Sequence, residues 1–414
     1  MHHYFVEGFV LPNQNQIWWT ILIVLYPYIT GIVAGAFIIS SLYHVFNKED
    51  LKPVSRFSLL MAFAFLLFAT CPLLGHLGRP ERALNIMLTP NPTSAMAGFG
   101  FIYATYLIIL AIEIWLVYRP DIVYLSKHSS SMLLRKLYWL LSLGVDNVSK
   151  SSLESDHKVM IFLASIGIPA ACTLHGYVGF IFGAIKANPW WSSPMMPVIF
   201  LLSAIVSGIA MVLVCYQAIH YLKGRAIDSQ CTQALMGYLW LFAIIDVAIE
   251  LLEIINHAYM ANEDWEVLHE LVMTKLFVSY VVIQMLVCSV IPIGLLGAAI
   301  IFRKRLSDRI RNAMGFLSAM LLLIQVLAMR WNVVIGGQMF SKSFRGFLRF
   351  DVEVFGREGL LVAFAIFLMP FITLGIFARL LPLWGPIETY PKKWLRKGLP
   401  EKQNLTFPEP AHPS

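Results

Sequence analysis

The sequence predicts an all-α polytopic membrane protein with about nine transmembrane helices arranged in two bundles. Hydrophobic residues make up 58% of the 414 residues, charged residues only 13%, and the mean hydropathy is +0.70. About a quarter of the residues in an average soluble protein are charged, so this chain lacks the polar surface that a soluble enzyme of its length needs. Its long apolar runs also exclude a transmembrane β-barrel, whose strands alternate polar and apolar residues in short segments.

Nine apolar runs are long enough to cross about 30 Å of hydrocarbon. A further segment, 131–146, is too short and too basic to span the membrane and is predicted to be an interfacial amphipathic helix. The nine runs lie approximately at 17–46, 54–74, 97–118, 158–184, 195–222, 233–260, 267–302, 312–335 and 358–382.

The distribution of cations predicts the orientation of the chain. Of its 31 Lys and Arg residues, 22 fall in, or within four residues of, the connections after the first, third, fifth and seventh runs or the C-terminal tail. The positive-inside rule therefore places the N-terminus outside and the C-terminus in the cytoplasm. The connection 330–357 carries five cations on the outer side, against this rule, which favours a binding role for it. The net charge of +7 is explained by loop charges and does not indicate nucleic-acid binding.

The chain divides by its connections into three parts. Residues 1–222 form the first predicted bundle, which includes the interfacial helix, and residues 223–384 form the second bundle. Residues 385–414 are predicted to be a cytoplasmic tail. The five cysteines are scattered and form no CxxC motif, so no metal site, zinc centre or iron–sulfur cluster is expected.

Four ionisable residues form one stripe on the sixth predicted helix. Asp246, Glu250, Glu253 and His257 follow one another at spacings of three or four residues, so they share one helix face. Ionisable groups inside a membrane are costly by about 2.5–3.5 kcal/mol each on insertion scales, and closely spaced carboxyl groups share protons. The stripe therefore predicts a proton path that climbs from mid-membrane to the outer surface.

Two cations are expected at a matching depth. Lys275 lies in the seventh run and Arg330 lies at the outer end of the eighth. They are the candidate counter-charges of the stripe. The alternative is that these acids and bases pair only to hold helices together.

His76 and Arg79 lie at the outer end of the second helix, where the topology disfavours cations. A histidine beside a fixed arginine can donate a hydrogen bond to a quinone carbonyl and move a proton near neutral pH. A helix C-cap is an equally good explanation.

His175, in the outer part of the fourth helix, is a further candidate ligand, although a lone intramembrane histidine is often a packing group. Trp190 and Trp191 are expected to be interfacial anchors.

A b-type haem needs two histidines that face each other across a bundle. Both His44 and His220 lie near cytoplasmic helix ends, and both His175 and His257 lie in outer halves. Neither pair has a supporting motif, so no haem is expected in this chain.

Four segments together resemble the NrfD/PsrC family, the membrane subunits of polysulfide-reductase-type complexes. Within that family the sequence looks most similar to QrcD of the quinone reductase complex, to DsrP and to the membrane subunits of alternative complex III. The segments are TGIVAGAF (30–37), HLGRPERALNIMLTPNPTSAMAGFGF (76–101), HGYVGFIFGAIKANPWWSSPMMPVIFLLSAIVSG (175–208) and RWNVVIGGQMF (330–340).

The resemblance implies a subunit that exchanges electrons with membrane quinone at the outer side of a four-helix bundle. It implies a periplasmic ferredoxin-like iron–sulfur subunit as partner, and beyond it a molybdopterin-type or multihaem cytochrome c subunit. The expected cofactor is quinone, with menaquinone preferred, and no haem or iron–sulfur cluster in this chain. Carried over to this sequence, His76 and Arg79 fall in the quinone region and Ser94 lines it. Many members have His or another polar residue in the outer half of helix 1. Helix 1 of this sequence offers Trp18, Trp19, Tyr26 and Tyr28 instead, and Tyr26 is the candidate taken from them.

These observations predict a quinone-interacting membrane subunit of a respiratory oxidoreductase in the cytoplasmic membrane of a bacterium or archaeon, with the quinone site toward the periplasm. The first bundle would supply the quinone pocket and the second the proton path, and the chain alone is expected to be inactive. The alternatives are an ion- or proton-coupled secondary transporter that uses the same carboxylates, a haem-bearing cytochrome b type anchor, and a purely structural anchor.

Overall fold

The computed structural model describes residues 6–8, 16–260, 264–340 and 346–385, and this part of the chain is mostly helical. The predicted tail, 385–414, lies almost wholly outside the described residues. The helices are, in chain order, α1 (Ile21–His44), α2 (Lys52–Phe68), α3 (Cys71–His76), α4 (Asn85–Leu88), α5 (Ala95–His128), α6 (Met132–Leu141), α7 (Lys150–Gly183), α8 (Met196–Leu222), α9 (Ser229–Met260), α10 (Trp265–Glu270), α11 (Ile291–Ile301), α12 (Asp308–Val334) and α13 (Leu360–Leu380).

Eight helical stretches among the described residues are long and apolar enough to cross a membrane, which confirms a polytopic helical membrane protein. Each corresponds to one of the predicted runs. The remaining run, 233–260, corresponds to α9, which has 32 residues and is therefore about 48 Å long at 1.5 Å per residue. That length exceeds the hydrocarbon thickness. The count of nine spans and the orientation of the termini stay predictions.

The seventh predicted run, 267–302, is not one regular α-helix. After α10 the chain forms two π-helical segments, Leu271–Lys275 and Phe277–Val290, which are separated by Leu276 and followed by α11. A π-helix joins residues i and i+5 by hydrogen bonds, so side chains five residues apart lie above one another. The continuous hydropathy of this run gave no sign of the change in helix type.

Helices α1 and α8 approach each other closely at two glycines. A Cβ atom built on Gly35 would lie 2.5 Å from the carbonyl oxygen of Ala204, and one built on Gly208 would lie 2.3 Å from the Cα atom of Gly35. Small residues allow membrane helices to approach in this way. Gly35 and Gly208 are therefore the residues at which the backbones of α1 and α8 pack against each other.

Replacing Gly208 by alanine is expected to lower the stability of the folded chain by about 1–3 kcal/mol or more, because the new methyl group meets backbone that cannot move aside. The measurement is the temperature at which the detergent-purified protein loses its monodisperse elution. Gly237 in α9 has open space around its Cα, so Gly237→Ala is the matched control. Equal melting temperatures for Gly208→Ala and Gly237→Ala would contradict the close contact between α1 and α8.

The two predicted bundles share a long interface. Helix α12 packs against both α1 and α8 as well as against the second π-helical segment. The predicted interfacial segment is helical over α6, where Leu133, Trp139 and Leu140 are exposed. Strand β1 (Val6–Gly8) pairs antiparallel with β2 (Gly346–Leu348), which ties the first described residues to the long connection after α12. The division into two bundles at residue 222 stays a prediction.

Candidate functional site

A fully buried arginine occupies the interface between the two predicted bundles. The Arg330 guanidinium donates hydrogen bonds to the Ser203 hydroxyl at 2.7 Å and to the Phe200 carbonyl oxygen at 3.2 Å. It also lies 3.1 Å from Nε2 of His175 and 3.9 Å from the centre of the Phe200 ring. Because a guanidinium can only donate, His175 accepts through Nε2 and carries its proton on Nδ1. Arg330 thus binds the first bundle directly.

The same arginine interacts with the acids of α9. Its positive charge interacts electrostatically with Asp246 and Glu250, both of which are buried. Neither carboxylate oxygen of Asp246 has a hydrogen-bond partner among the described residues. A buried carboxyl group without such a partner can hold a charge only with help from a nearby cation, and Arg330 is that cation. Arg330 therefore interacts with the stripe through its charge, and its role as counter-charge stays a prediction.

Neutral amides surround Glu250. Gln284 donates to its carboxylate at 2.9 Å, and Gln325 lies 3.3 Å from both of its oxygens. Asn332 donates to the Gln284 side-chain oxygen at 2.7 Å, and Ser279 donates to Asn332 at 2.6 Å. The result is a continuous chain of hydrogen-bonding groups, buried except at half-buried Ser279, that joins α9, the second π-helical segment and α12.

The π-helix explains how one segment supplies two members of this network. Ser279 and Gln284 are five residues apart, and the Ser289 hydroxyl donates to the Gln284 carbonyl oxygen, again five residues away. In a π-helix such residues lie on one side, whereas an α-helix would turn them well apart. Deviations of this kind are frequent at functional sites, and sequence reasoning selected none of these neutral side chains.

The remaining stripe residues lie nearer the surface. Glu253 and His257 are 3.3 Å apart, with side-chain exposures of 14% and 24%, whereas Asp246 and Glu250 are 1% and 5% exposed. Exposure therefore rises along α9 toward its C-terminal end, as expected for a path that opens at one surface. Lys275, at the end of the first π-helical segment, is half-buried.

The five predicted quinone residues have different surroundings in the structure. Tyr26 is buried and its ring packs edge-on against Phe99 at 5.4 Å. Arg79 and Ser94 are exposed, before a short 3-10 turn and at the start of α5 respectively. His175 is buried beside Arg330, and the quinone-binding role of all five residues stays a prediction.

His76 has a partner that sequence reasoning missed. Its Nδ1 atom lies 2.7 Å from a carboxylate oxygen of Glu358, and the Thr20 hydroxyl donates to the same oxygen at 2.7 Å. The neighbouring Arg357 donates to the carbonyl oxygen of Leu77. The end of the long connection after α12 is therefore fastened to α3 and to the start of α1. The only sequence signal was the cationic character of this connection.

Replacing Glu358 by glutamine is expected to make backbone amides around residues 353–361 exchange roughly fivefold faster, because losing charge-assisted hydrogen bonds at a half-exposed site costs about 1 kcal/mol. Hydrogen–deuterium exchange followed by mass spectrometry measures this. Glu353 is exposed on the same connection, so Glu353→Gln is the control. An identical exchange rate in both variants would show that Glu358 does not fasten the connection.

The tryptophans after α7 are structural donors. The Trp191 indole is buried and donates to the Val333 carbonyl oxygen at 2.6 Å, and Trp190 donates to that of Asn332 at 3.0 Å. A Cβ atom on Gly337 would lie 2.0 Å from the Trp191 indole nitrogen. The expected role as an interfacial anchor is therefore wrong for Trp191, whose buried indole instead binds the C-terminal end of α12.

Comparison with known proteins matches most of the chain to one family model and about half of it to individual relatives. A family model described as polysulphide reductase, NrfD, matches residues 10–342. A selenate reductase subunit of Mesobacillus selenatarsenatis is 35% identical over 205 residues, which is 48% of this chain and 47% of that protein. The Hdr-like menaquinol oxidoreductase integral membrane subunit of Archaeoglobus fulgidus is 25% identical over 200 residues, 48% of this chain and 42% of that protein.

Protein NrfD of Escherichia coli is 26% identical over 205 residues, which cover 49% of this chain and 60% of that protein. The matches to these relatives therefore span about half of each protein. The family model is broader, since it extends through the residues that surround Arg330 and Trp191.

Proposed function

The chain belongs to the polysulphide reductase NrfD family, and from this premise we propose that it is the quinone-interacting membrane subunit of a multisubunit oxidoreductase. Its place would be the cytoplasmic membrane of a bacterium or archaeon. Its multi-pass helical fold supports the membrane location. The relatives named as a selenate reductase subunit and as an integral membrane subunit of a menaquinol oxidoreductase support an assembly with redox partners.

The proposed quinone region lies at the outer ends of α1, α3 and α5. His76, oriented by Glu358, is a suitable hydrogen-bond donor and proton carrier for a quinone carbonyl. Arg79 would attract the developing negative charge, and Tyr26 with Ser94 would line the region. Menaquinone is the quinone we expect. Electrons would pass to or from a periplasmic ferredoxin-like iron–sulfur subunit, with a molybdopterin-type or multihaem cytochrome c subunit beyond it.

Proton coupling is the second part of the proposal. One observation carries it: buried Arg330 contacts His175 of the first bundle and interacts electrostatically with Asp246 and Glu250 of the second. A change of charge near His175 therefore changes how strongly Arg330 stabilises ionised carboxylates on α9. Glu253 and His257 would continue the path to the outer surface, with Lys275 as a further counter-charge.

The first experiment is gentle detergent purification of the tagged chain, with mass spectrometry of accompanying proteins and of lipid-soluble extracts. An iron–sulfur protein, a large redox subunit and a quinone in one preparation is the expected result. A lone chain without quinone, from membranes that contain both, would contradict the proposal and favour a transporter. A haem band in the reduced-minus-oxidised spectrum of the isolated subunit would favour a cytochrome b type anchor.

The quinone region is tested by substitution. Replacing Arg79 by glutamine is expected to raise the quinol concentration needed for half-maximal turnover, because it removes a fixed charge and leaves the fold intact at an exposed site. Arg82, exposed on the same turn, supplies the matched control Arg82→Gln. Unchanged turnover in both variants, and in His76→Gln, would indicate a purely structural anchor.

A further inference from the structure

A second buried acid lies in the first bundle, away from the stripe on α9. Glu113, in α5, has 0% of its surface exposed. Within the part of the chain that the structure describes, neither of its carboxylate oxygens has a hydrogen-bond partner. An ionised carboxylate in such surroundings would be an unpaired buried charge, which is far more costly than a neutral carboxylic acid. Glu113 is therefore expected to carry a proton.

Other polar groups without partners lie in the same part of the first bundle. The Tyr106 hydroxyl and the Ser40 hydroxyl are buried and have no hydrogen-bond partner in the described ranges. Tyr106 precedes Glu113 by two helical turns and interacts with it electrostatically, and Cys172 of α7 is a further neighbour of Tyr106. Native proteins leave few buried polar groups unsatisfied. Several in one region indicate a place where water and protons pass.

The register of the helices shows where this region opens. The rings of Phe37 in α1 and Tyr106 in α5 meet edge-on at 5.5 Å, and α1 and α5 run in the same direction because one span separates them. His44 lies seven residues after Phe37, and Glu113 lies seven residues after Tyr106. Each is therefore about 10.5 Å further along its helix axis. They therefore reach the same depth, near the end of α1 that the charge distribution assigns to the cytoplasm.

His44 connects this depth to the aqueous surface. Its side chain is half-buried, and Nε2 has no hydrogen-bond partner among the described residues. It interacts electrostatically with exposed His157 at the start of α7 and with Arg56 of α2. Arg56 is itself paired with Asp121. His44 thus lies beside a solvent-exposed imidazole and at the depth of the buried acid.

We propose that Glu113 is a proton-binding site of the first bundle that is loaded from the cytoplasmic side through His44. A proton from bulk water binds the free nitrogen of His44 and is then passed to Glu113 whenever that carboxyl group has lost its own proton. Tyr106 extends the chain of groups toward mid-membrane. The use made of this proton rests on the proposed function, but the protonation of Glu113 does not depend on quinone.

Infrared difference spectroscopy of the purified protein, with any subunits that accompany it, tests the proposal directly. The carbonyl stretch of a protonated carboxyl group shifts when its proton is exchanged for deuterium. We expect one such band to be absent in Glu113→Gln and unchanged in Tyr106→Phe, which keeps the ring against Phe37. We expect His44→Leu to slow the exchange of that band by about tenfold or more. His128→Leu, at the exposed end of α5, is the control.

Each outcome decides one step. An unchanged set of carboxylic-acid bands in Glu113→Gln would show that Glu113 is ionised and would overturn the proposal. Exchange as fast in His44→Leu as in His128→Leu would overturn the route through His44. Because no quinone or electron donor is needed, a preparation that contains neither would contradict the proposed function and still decide this inference.

Discussion

Replacement of Arg330 by methionine is expected to destabilise the folded chain by about 3–5 kcal/mol, because removing one member of a buried charge group leaves the other uncompensated. The guanidinium satisfies the Phe200 carbonyl oxygen, the Ser203 hydroxyl and His175 at once. Methionine fills a similar volume but offers no donor. The measurement is the temperature at which half of the detergent-purified protein is lost from the monodisperse peak. Arg303→Met, at an exposed position, is the control.

A double variant separates charge compensation from packing. If Arg330 stabilises the buried charge of Asp246, then Asp246→Asn should recover part of the stability lost in Arg330→Met. The expected interaction energy is about 0.5–3 kcal/mol. Arg330→Lys should not restore the wild-type stability, because an ammonium group cannot reproduce the planar fork of a guanidinium. Strictly additive losses in the double variant would show that the two residues are independent.

Hydropathy was sufficient to locate the spans because the membrane imposes one strong requirement, a long apolar run with internally satisfied backbone. Hydropathy did not predict the ends of helices in which polar residues continue the helix beyond the hydrocarbon. Helix α5 runs ten residues past its predicted end at 118 and includes Arg119, which is buried and paired with Asp156. It also failed at the π-helical segments, since helix type depends on packing rather than on hydropathy.

The site could be predicted only in its local part. The stripe on α9 is visible in sequence because its members share one helix face, and the structure places Asp246 and Glu250 inside the protein. The contact between His175 and Arg330 joins residues 155 positions apart, and the one between His76 and Glu358 joins residues 282 apart. Such pairings depend on the arrangement of helices, which no local pattern reveals.

Glu113 is a different kind of omission. It is a single acid inside the predicted run 97–118, and the argument from the cost of intramembrane charge applies to it as well as to the stripe. What the sequence lacks is the spacing that made the stripe conspicuous. Only burial and the missing hydrogen-bond partners in the described residues distinguish it.

Substituting Glu250 by glutamine is expected to slow proton-coupled turnover by about 10²-fold, the lower range for loss of a positioned proton carrier, while the protein still assembles. Glutamine keeps an oxygen that can accept from Gln284 and Gln325, which donate to the carboxylate in the wild type. It cannot release a proton. Glu250→Gln should therefore lower turnover and leave stability unchanged, whereas Arg330→Met should lower both.

Turnover is measured on the purified complex in vesicles with reduced menadione as donor and a redox dye as acceptor, together with proton release. Glu270→Gln, at an exposed position on the outer side of the predicted topology, is the matched control. Reduced turnover in Glu250→Gln with a normal melting temperature supports a proton carrier, since packing is preserved and only titration is lost. Unchanged turnover and unchanged proton release would refute that role and leave Glu250 as a residue that holds α9, the π-helical segment and α12 together.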